Sequence, residues 1–326
     1  MPPLIFLVGP TAVGKTSVAI HLARLLDAEI LSIDSRQAYR LLDVGTAKPT
    51  SAERAAAPHH LLDLFDPRET ASAEAFARLY RSALAAVLSR KKRALAVGGA
   101  GLYVDACLGR LDPLPPADPA IRAAHRRLRD REGPEALHRR LAESDPQTAA
   151  RLGPRDFQRV SRALEVQELT GRPLSSLHAR GGRCDLSSGP PMVLLQRERG
   201  DLDHRIRIRA EAMLAGGLLD EVARLLAAGI PPEAPALEAI GYTEFARAIR
   251  GEGTLAEAAR SFLLRTRRYA KRQETWFRNR YSGVRTVHVP AEEAPEVTTR
   301  RVLEAIAGPS FGAPRNPHAG TGSGKP

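Results

Sequence analysis

The stretch Leu4 to Leu26, LIFLVGPTAVGKTSVAIHLARLL, constrains this chain more than any other, because a short apolar run meets a glycine-rich turn and then a helical repeat. Gly9, Gly14, Lys15 and Thr16 fit the pattern G-x-x-x-x-G-K-[ST], in which glycines let backbone N–H groups turn inward around phosphate oxygens. The expected cradle is the loop itself: Gly9, Pro10, Thr11, Ala12, Val13, Gly14, Lys15 and Thr16. Lys15 adds a mobile positive charge, and Thr16, opening a helix, offers a hydroxyl to Mg²⁺. Leu4 to Val8 reads as a strand, and Val18, Leu22, Leu25 and Leu26 recur at helical spacing. Those flanks argue against a glycine-rich turn that binds nothing.

At 326 residues the chain suits one large domain plus a smaller one, or a domain with an insertion. A net charge of +12 favours a polyanionic partner, with nucleic acid first. Cys107 and Cys184 are too few and too far apart for a metal pair or a disulfide framework, and a reducing cytoplasm is the expected setting. No apolar run approaches the ~18 residues of a membrane-spanning helix, so no membrane association is expected.

Ala28 to Ile33 is a second strand candidate that delivers Asp34, Ser35, Arg36 and Gln37 just past its carboxyl end, the edge where parallel sheets bind ligands. Asp34 then has three candidate roles: Mg²⁺ ligand, general base, or N-cap of the next turn. Paired His59 and His60 lack further ligands at useful spacing and read as surface or capping residues. Ser72 to Ser89 forms an amphipathic helix with Ala75, Leu79, Leu84 and Leu88 among its apolar positions. Ala94 to Val97 is a further strand, running into a second glycine-rich turn, Gly98 to Tyr103.

The proline-rich Leu111 to Pro119 marks a composition shift into a purely helical pattern dense in arginine. There Arg155, Arg159 and Arg162 fall at helical spacing and read as one cationic face without interleaved acids, arranged for phosphates, the alternative being a solvated face with remote carboxylate partners. After a Gly- and Ser-rich loop comes a strand from Met192 to Leu195, then a helix from Asp203 to Leu226 carrying Arg205, Arg207 and Arg209. Between Arg265 and Arg285 eight basic residues stand against one acid, Glu274, with Tyr269, Trp276, Phe277 and Tyr281 interleaved. Cations and flat rings together suit a single-stranded RNA loop. A last helix, Pro295 to Ala307, precedes a tail expected to be disordered.

The ordered blocks GPTAVGKT, DSRQAY, GTAKPT, GGAGLY, FQRVSRALEV, EAIGYTEF and RYAKRQETWFR resemble those of the bacterial tRNA dimethylallyltransferases, which modify adenosine 37 beside the anticodon. The resemblance implies that the loop holds the diphosphate of dimethylallyl diphosphate and that no nucleotide is hydrolysed. It implies Asp34 as the base on the adenine N6, with Lys15, Thr16 through Mg²⁺, and Arg205 at the diphosphate. It further implies tRNA contacts at Asp34 to Gln37, at Ala100, at Gln158, Arg159, Val160, Ser161 and Arg162, and at Arg122. In the second glycine turn Ala100 replaces the threonine usual in that family. A zinc finger present in some eukaryotic relatives is absent.

The expected fold is α/β, a parallel sheet core like that of P-loop NTPases with a helical insertion domain. The expected divisions are 1–114 for the first part of the core, 115–188 for the tRNA-contacting insertion, 189–308 for the rest of the core, and 309–326 for the tail. The expected partners are the tRNA anticodon stem-loop and dimethylallyl diphosphate, met by a monomer. The competing readings are a small-molecule kinase, a prenyltransferase of free adenine nucleotides, and a non-catalytic RNA-binding protein.

Overall fold

The computed structural model describes residues 1–177, 184–186 and 189–308. The expected tail, and part of the Gly- and Ser-rich loop before Met192, lie outside these. The chain divides into two compact units, residues 1–109 with 183–326, and residues 110–182.

The first unit is built on a six-stranded sheet of β1 (Leu4–Val8), β2 (Ala28–Ile33), β3 (His59–His60), β4 (Arg93–Gly98), β6 (Met192–Gln196) and β8 (Arg285–His288). Its order is β3-β2-β4-β1-β6-β8, with every pairing parallel. β5 (Cys184–Asp185) and β7 (Tyr281–Ser282) pair separately. β1 and most of β4 and β6 are apolar runs because both faces are covered, while β2 also buries Glu29 and Ser32. Ile5 and Leu7 enter one core with α1 (Lys15–Leu26) and α14 (Pro295–Ala307), and Phe6 and Val8 enter the other with α3 (Ala73–Ser89) and α4 (Gly101–Cys107).

A third core joins α10 (Arg199–Ala215), α11 (Leu218–Ala227), α12 (Tyr242–Ile249) and α13 (Leu255–Arg280), where Tyr242 and Phe245 are buried as their apolar spacing requires. The short α2 (Ser51–Ala56) carries a capping box from Thr50 and Glu53. Among the described residues, no helix is long and apolar enough to cross a membrane.

Two local expectations change. The helix expected over 203–226 is broken at Gly216 and Gly217, whose positive φ of 92° caps a new helix. In α3 the buried residues are Phe76, Ala77, Tyr80 and Val87, while Leu79 and Leu88 lie toward solvent. Large rings at Phe76 and Tyr80 take the inward stripe and rotate the leucines out. Leu25 of α1 is likewise exposed.

The second unit packs α5 (Pro119–Glu132), α6 (Ala136–Ser144), α7 (Pro146–Ala149), α8 (Phe157–Thr170) and α9 (Leu174–Leu177) around Leu128, Leu137, Leu141, Val160 and Leu164. Glu165, fully buried, accepts from Arg122 at 2.9 and 3.1 Å, from Arg162 at 2.6 Å, and from the Asp118 N–H at 2.7 Å. Burial opposes ionisation of this carboxyl, but the hydrogen bonds from Arg122 and Arg162 outweigh it and hold its pKa below the usual range. Arg162 also donates to Pro115 O at 2.5 Å, fixing the entry to α5.

A lowered folded pKa makes this stabilisation complete above the ordinary glutamate value of about 4.3 and loses it as the pH falls through that value toward the folded one. Glu165→Ala is expected to cost about 3 kcal/mol at neutral pH, since it strands two arginines. Urea denaturation of Glu165→Gln should vary less than wild type between about pH 6 and about pH 3.5. Equal pH dependence of the two proteins would contradict the assignment.

Candidate active site

The register of the sheet sets the site. Val8 pairs with Gly98, and Gly98 with Ile33, so three segments leave the sheet at one level: the phosphate loop after β1, Asp34 after β2, and Gly99 to Gly101 after β4. A Cβ on Gly98 would lie 1.9 Å from Ile33 O, so only glycine lets the strand ends meet. Between them opens a cleft continuous with solvent and lined by Lys15, Thr16, Ser32, Asp34, Gln37 and His59.

The loop's carbonyls are turned to cations. Lys15 Nζ donates to Gly9 O and Pro10 O at 2.9 and 2.7 Å, Arg205 Nε to Ala12 O at 2.9 Å, and Arg197 Nε to Val13 O at 3.0 Å. The first turn of α1 has no side-chain cap, which leaves its N–H groups for an anion. Burial, with Arg209 beside it, lowers the Lys15 pKa to about 7 against the pull of Asp34. Burial also lowers the pKa of Arg209, which Asp34 opposes and Arg205 reinforces. Such a concentration of cations is matched to a polyanion.

Asp34 both caps and faces the cavity. Its Oδ1 accepts from the Arg36 N–H at 2.8 Å and the Gln37 N–H at 3.2 Å, and all its hydrogen bonds with described residues fall on that oxygen. Oδ2 is left for chemistry. Gln37 is held on three sides, accepting from Ser32 Oγ at 3.0 Å and donating to Thr46 O and Ala47 O at 3.2 and 3.0 Å. Arg36 donates to Pro235 O at 2.8 Å.

The structure thus brings together Gly9 to Thr16, Asp34 and Arg205. It adds residues that sequence spacing did not single out. Arg209 lies one helical turn beyond Arg205, which is the signal that could have selected it from the three arginines of α10; Arg207 pairs outward with Glu211 at 3.0 Å. Gln273 of α13 reaches both glycine-rich turns, bonding Thr11 N–H at 2.8 Å and Gly99 O at 3.0 Å. No local pattern announces it. Among the described residues no group of three His, Cys, Asp or Glu side chains could hold a metal ion. Thr16 and Asp34 nevertheless give the cavity two oxygen donors of the type hard cations accept.

Several expected RNA contacts are corrected. Ala100 is buried in the core with Tyr103 and Phe277. In the helical unit Val160 and Ser161 are also buried, Ser161 Oγ sharing a 2.9 Å hydrogen bond with His125 Nδ1. None of these three side chains offers surface to RNA. Arg155 precedes α8 and pairs with Glu135 at 3.2 Å, while Arg162 and Arg122 hold Glu165, so the cations are not one unopposed face. Gln158 and Arg159 remain exposed on the first turn of α8.

In α13 and beyond, Phe277 and Tyr281 are core residues, and Arg265 pairs with Glu244, and Arg280 with Asp105 at 2.9 Å. Arg272 lies over the Tyr269 ring at 5.7 Å. The acids that balance these cations come from distant elements and are invisible in the local sequence.

The IPP transferase family model matches residues 37–280. A tRNA dimethylallyltransferase of Halorhodospira halophila is 47% identical over 285 residues, covering 87% of this chain and 92% of that protein. One from Roseiflexus castenholzii is 44% identical over 317 residues, covering 95% and 99%. The crystal structure of the full-length tRNA isopentenylpyrophosphate transferase of Bacillus halodurans superposes with a TM-score of 0.67 at 34% identity, covering 94% of this chain and 97% of that one.

If the strand ends meet as described, Gly98→Ala should destabilise the protein by about 1–3 kcal/mol through overpacking. Chemical denaturation measures this, and a change under a few tenths of a kcal/mol would mean that the contact at Ile33 O yields freely.

Proposed function

Because the chain belongs to the IPP transferase family, we propose that it transfers a dimethylallyl group from dimethylallyl diphosphate to N6 of adenosine 37 in the anticodon loop of tRNA, releasing pyrophosphate. The observation that carries this reading is the single cavity shared by the phosphate loop and Asp34. A leaving diphosphate and a nucleophile's base need that proximity.

The diphosphate lies across Gly9 to Thr16, where N–H groups of the α1 terminus, Lys15, Arg205 and Arg209 stabilise the charge that grows as the allylic C–O bond breaks. The N6 nitrogen attacks the allylic carbon and its proton passes to Asp34 Oδ2, while Oδ1 keeps the carboxylate aimed through its bonds to Arg36 and Gln37. Mg²⁺, when bound, adds charge neutralisation at the diphosphate oxygens. Thr16 would hold it, the remaining positions falling to substrate oxygens and water.

The tRNA contacts assigned here are Asp34 to Gln37 in the first unit and Gln158, Arg159, Arg162 and Arg122 in the second. Exposed Gln158 and Arg159 carry most of the second set, since Arg122 and Arg162 are tied to Glu165. The reading includes a monomer acting in the cytoplasm. The target base must leave its stack to reach the cavity.

Radiolabelled dimethylallyl diphosphate incubated with unmodified tRNA or with AMP tests the reading: label is expected in tRNA, and label in AMP alone would move the assignment to free nucleotides. Asp34→Asn keeps an acceptor for the turn and removes the base, so turnover should fall by about 10²–10⁴ with tRNA retention on filters nearly unchanged. Parallel loss of both would argue against the base. Arg159→Ala should weaken tRNA binding and reduce the slope of log affinity against log salt by about one; an unchanged slope would remove Arg159 from the phosphate contacts.

A further inference from the structure

Gln273 is the point at which α13 touches the chemistry. It is buried, 6% exposed, on a helix whose neighbouring Ala270 and Phe277 are also buried. Its Oε1 accepts the Thr11 N–H and its Nε2 donates to Gly99 O. Of the two amide orientations only one satisfies a donor on one turn and an acceptor on the other, so the network fixes the flip.

The fit is close on every side. A Cβ on Gly99 would lie 2.2 Å from Gln273 Nε2, and one on Gly101 would lie 2.3 Å from Trp276 Cδ1, one turn further along α13. On the phosphate loop, the next residue, Ala12, holds a φ of 65°, which a side chain adopts at a cost. That conformation is clamped on both sides, by Gln273 at Thr11 N–H and by Arg205 at Ala12 O.

The side chains nearest to glutamine in length do not reproduce this combination at neutral pH. Asparagine is one methylene short, glutamate has no donor, and lysine has no acceptor. We propose that Gln273 is a positioning residue for the diphosphate. It holds the strained segment of the phosphate loop at a fixed distance from the second glycine turn, so that the loop is shaped for the anion before the anion arrives. The inference rests on the transferase reading above, and extends it to a side chain 262 residues from the loop it holds.

The test is steady-state transfer by Gln273→Met, which keeps the volume and removes both bonds, and by Gln273→Glu. For Gln273→Met the KM for dimethylallyl diphosphate should rise about tenfold, the order of a lost buried hydrogen bond, with the KM for tRNA within about twofold. Gln273→Glu, which as the neutral acid again carries one donor and one acceptor, should regain affinity relative to Gln273→Met as the pH is lowered. A purely structural role would raise both KM values together without that recovery, and either this result or an unchanged KM for the diphosphate would overturn the proposal. Calorimetric binding of inorganic pyrophosphate to wild type and to Gln273→Met separates the two hypotheses. Weaker binding in the variant supports Gln273 even if wild type fails to modify tRNA, whereas equal binding refutes it even if wild type succeeds.

Discussion

Three strand ends held level by parallel pairing are the constraint on which the site depends. Because Gly98 pairs with Val8 on one side and Ile33 on the other, the loops after the three strands leave at one level, and each inherits its position from the sheet's register. A slip of one residue would turn Ile5 and Leu7 into the opposite core and carry the phosphate loop away from Asp34 together with them. The apolar alternation that stabilises the sheet and the geometry that serves catalysis are therefore one specification. Gly98 shows how tight it is, since a single methyl group has no place at the junction.

Electrostatics then distinguishes this loop from an ordinary turn. Lys15, Arg205 and Arg209 gather around it with Asp34 nearby, Arg197 joins them paired to Asp201 at 2.7 Å, and the Lys15 pKa is lowered by burial first and by Arg209 second. Buried cations set close together carry unfavourable charge density, which an anion in the loop would relieve. The carbonyls of the loop, by accepting from these cations, partly offset the repulsion in the free protein. They also keep the N–H groups at the helix start available.

Local features of the fold were largely legible. The first two strands and the last helix end where the apolar runs, Pro295 and the glycines indicate, because such signals act over a few residues. The phosphate loop and Asp34 were legible for the same reason. Gln273 was not, because its partners are 262 and 174 residues away. The aromatic residues after Tyr269 misled in the opposite direction: a ring that stacks on a base and a ring that fills a core have the same local neighbours, and only packing against β4 and α4 separates Phe277 and Tyr281 from a binding surface.

The arginines carry the same lesson into the helical unit. Counting cations against acids within one helix treats charge as a local property, yet a guanidinium reaches far enough to pair with an acid on another turn or helix. Arg122 of α5 and Arg162 of α8 converge on Glu165, a carboxylate with no solvent exposure that would be intolerable there without both. That pairing restrains two cations at fixed positions, whereas Arg159, 70% exposed and held only by Asp156 at 3.5 Å, keeps its rotamers. At this end of α8 an exposed cation thus stands near two whose directions are set by a buried acid. The buried acid therefore does more than stabilise the bundle: it decides which of its arginines keep the freedom to reorganise.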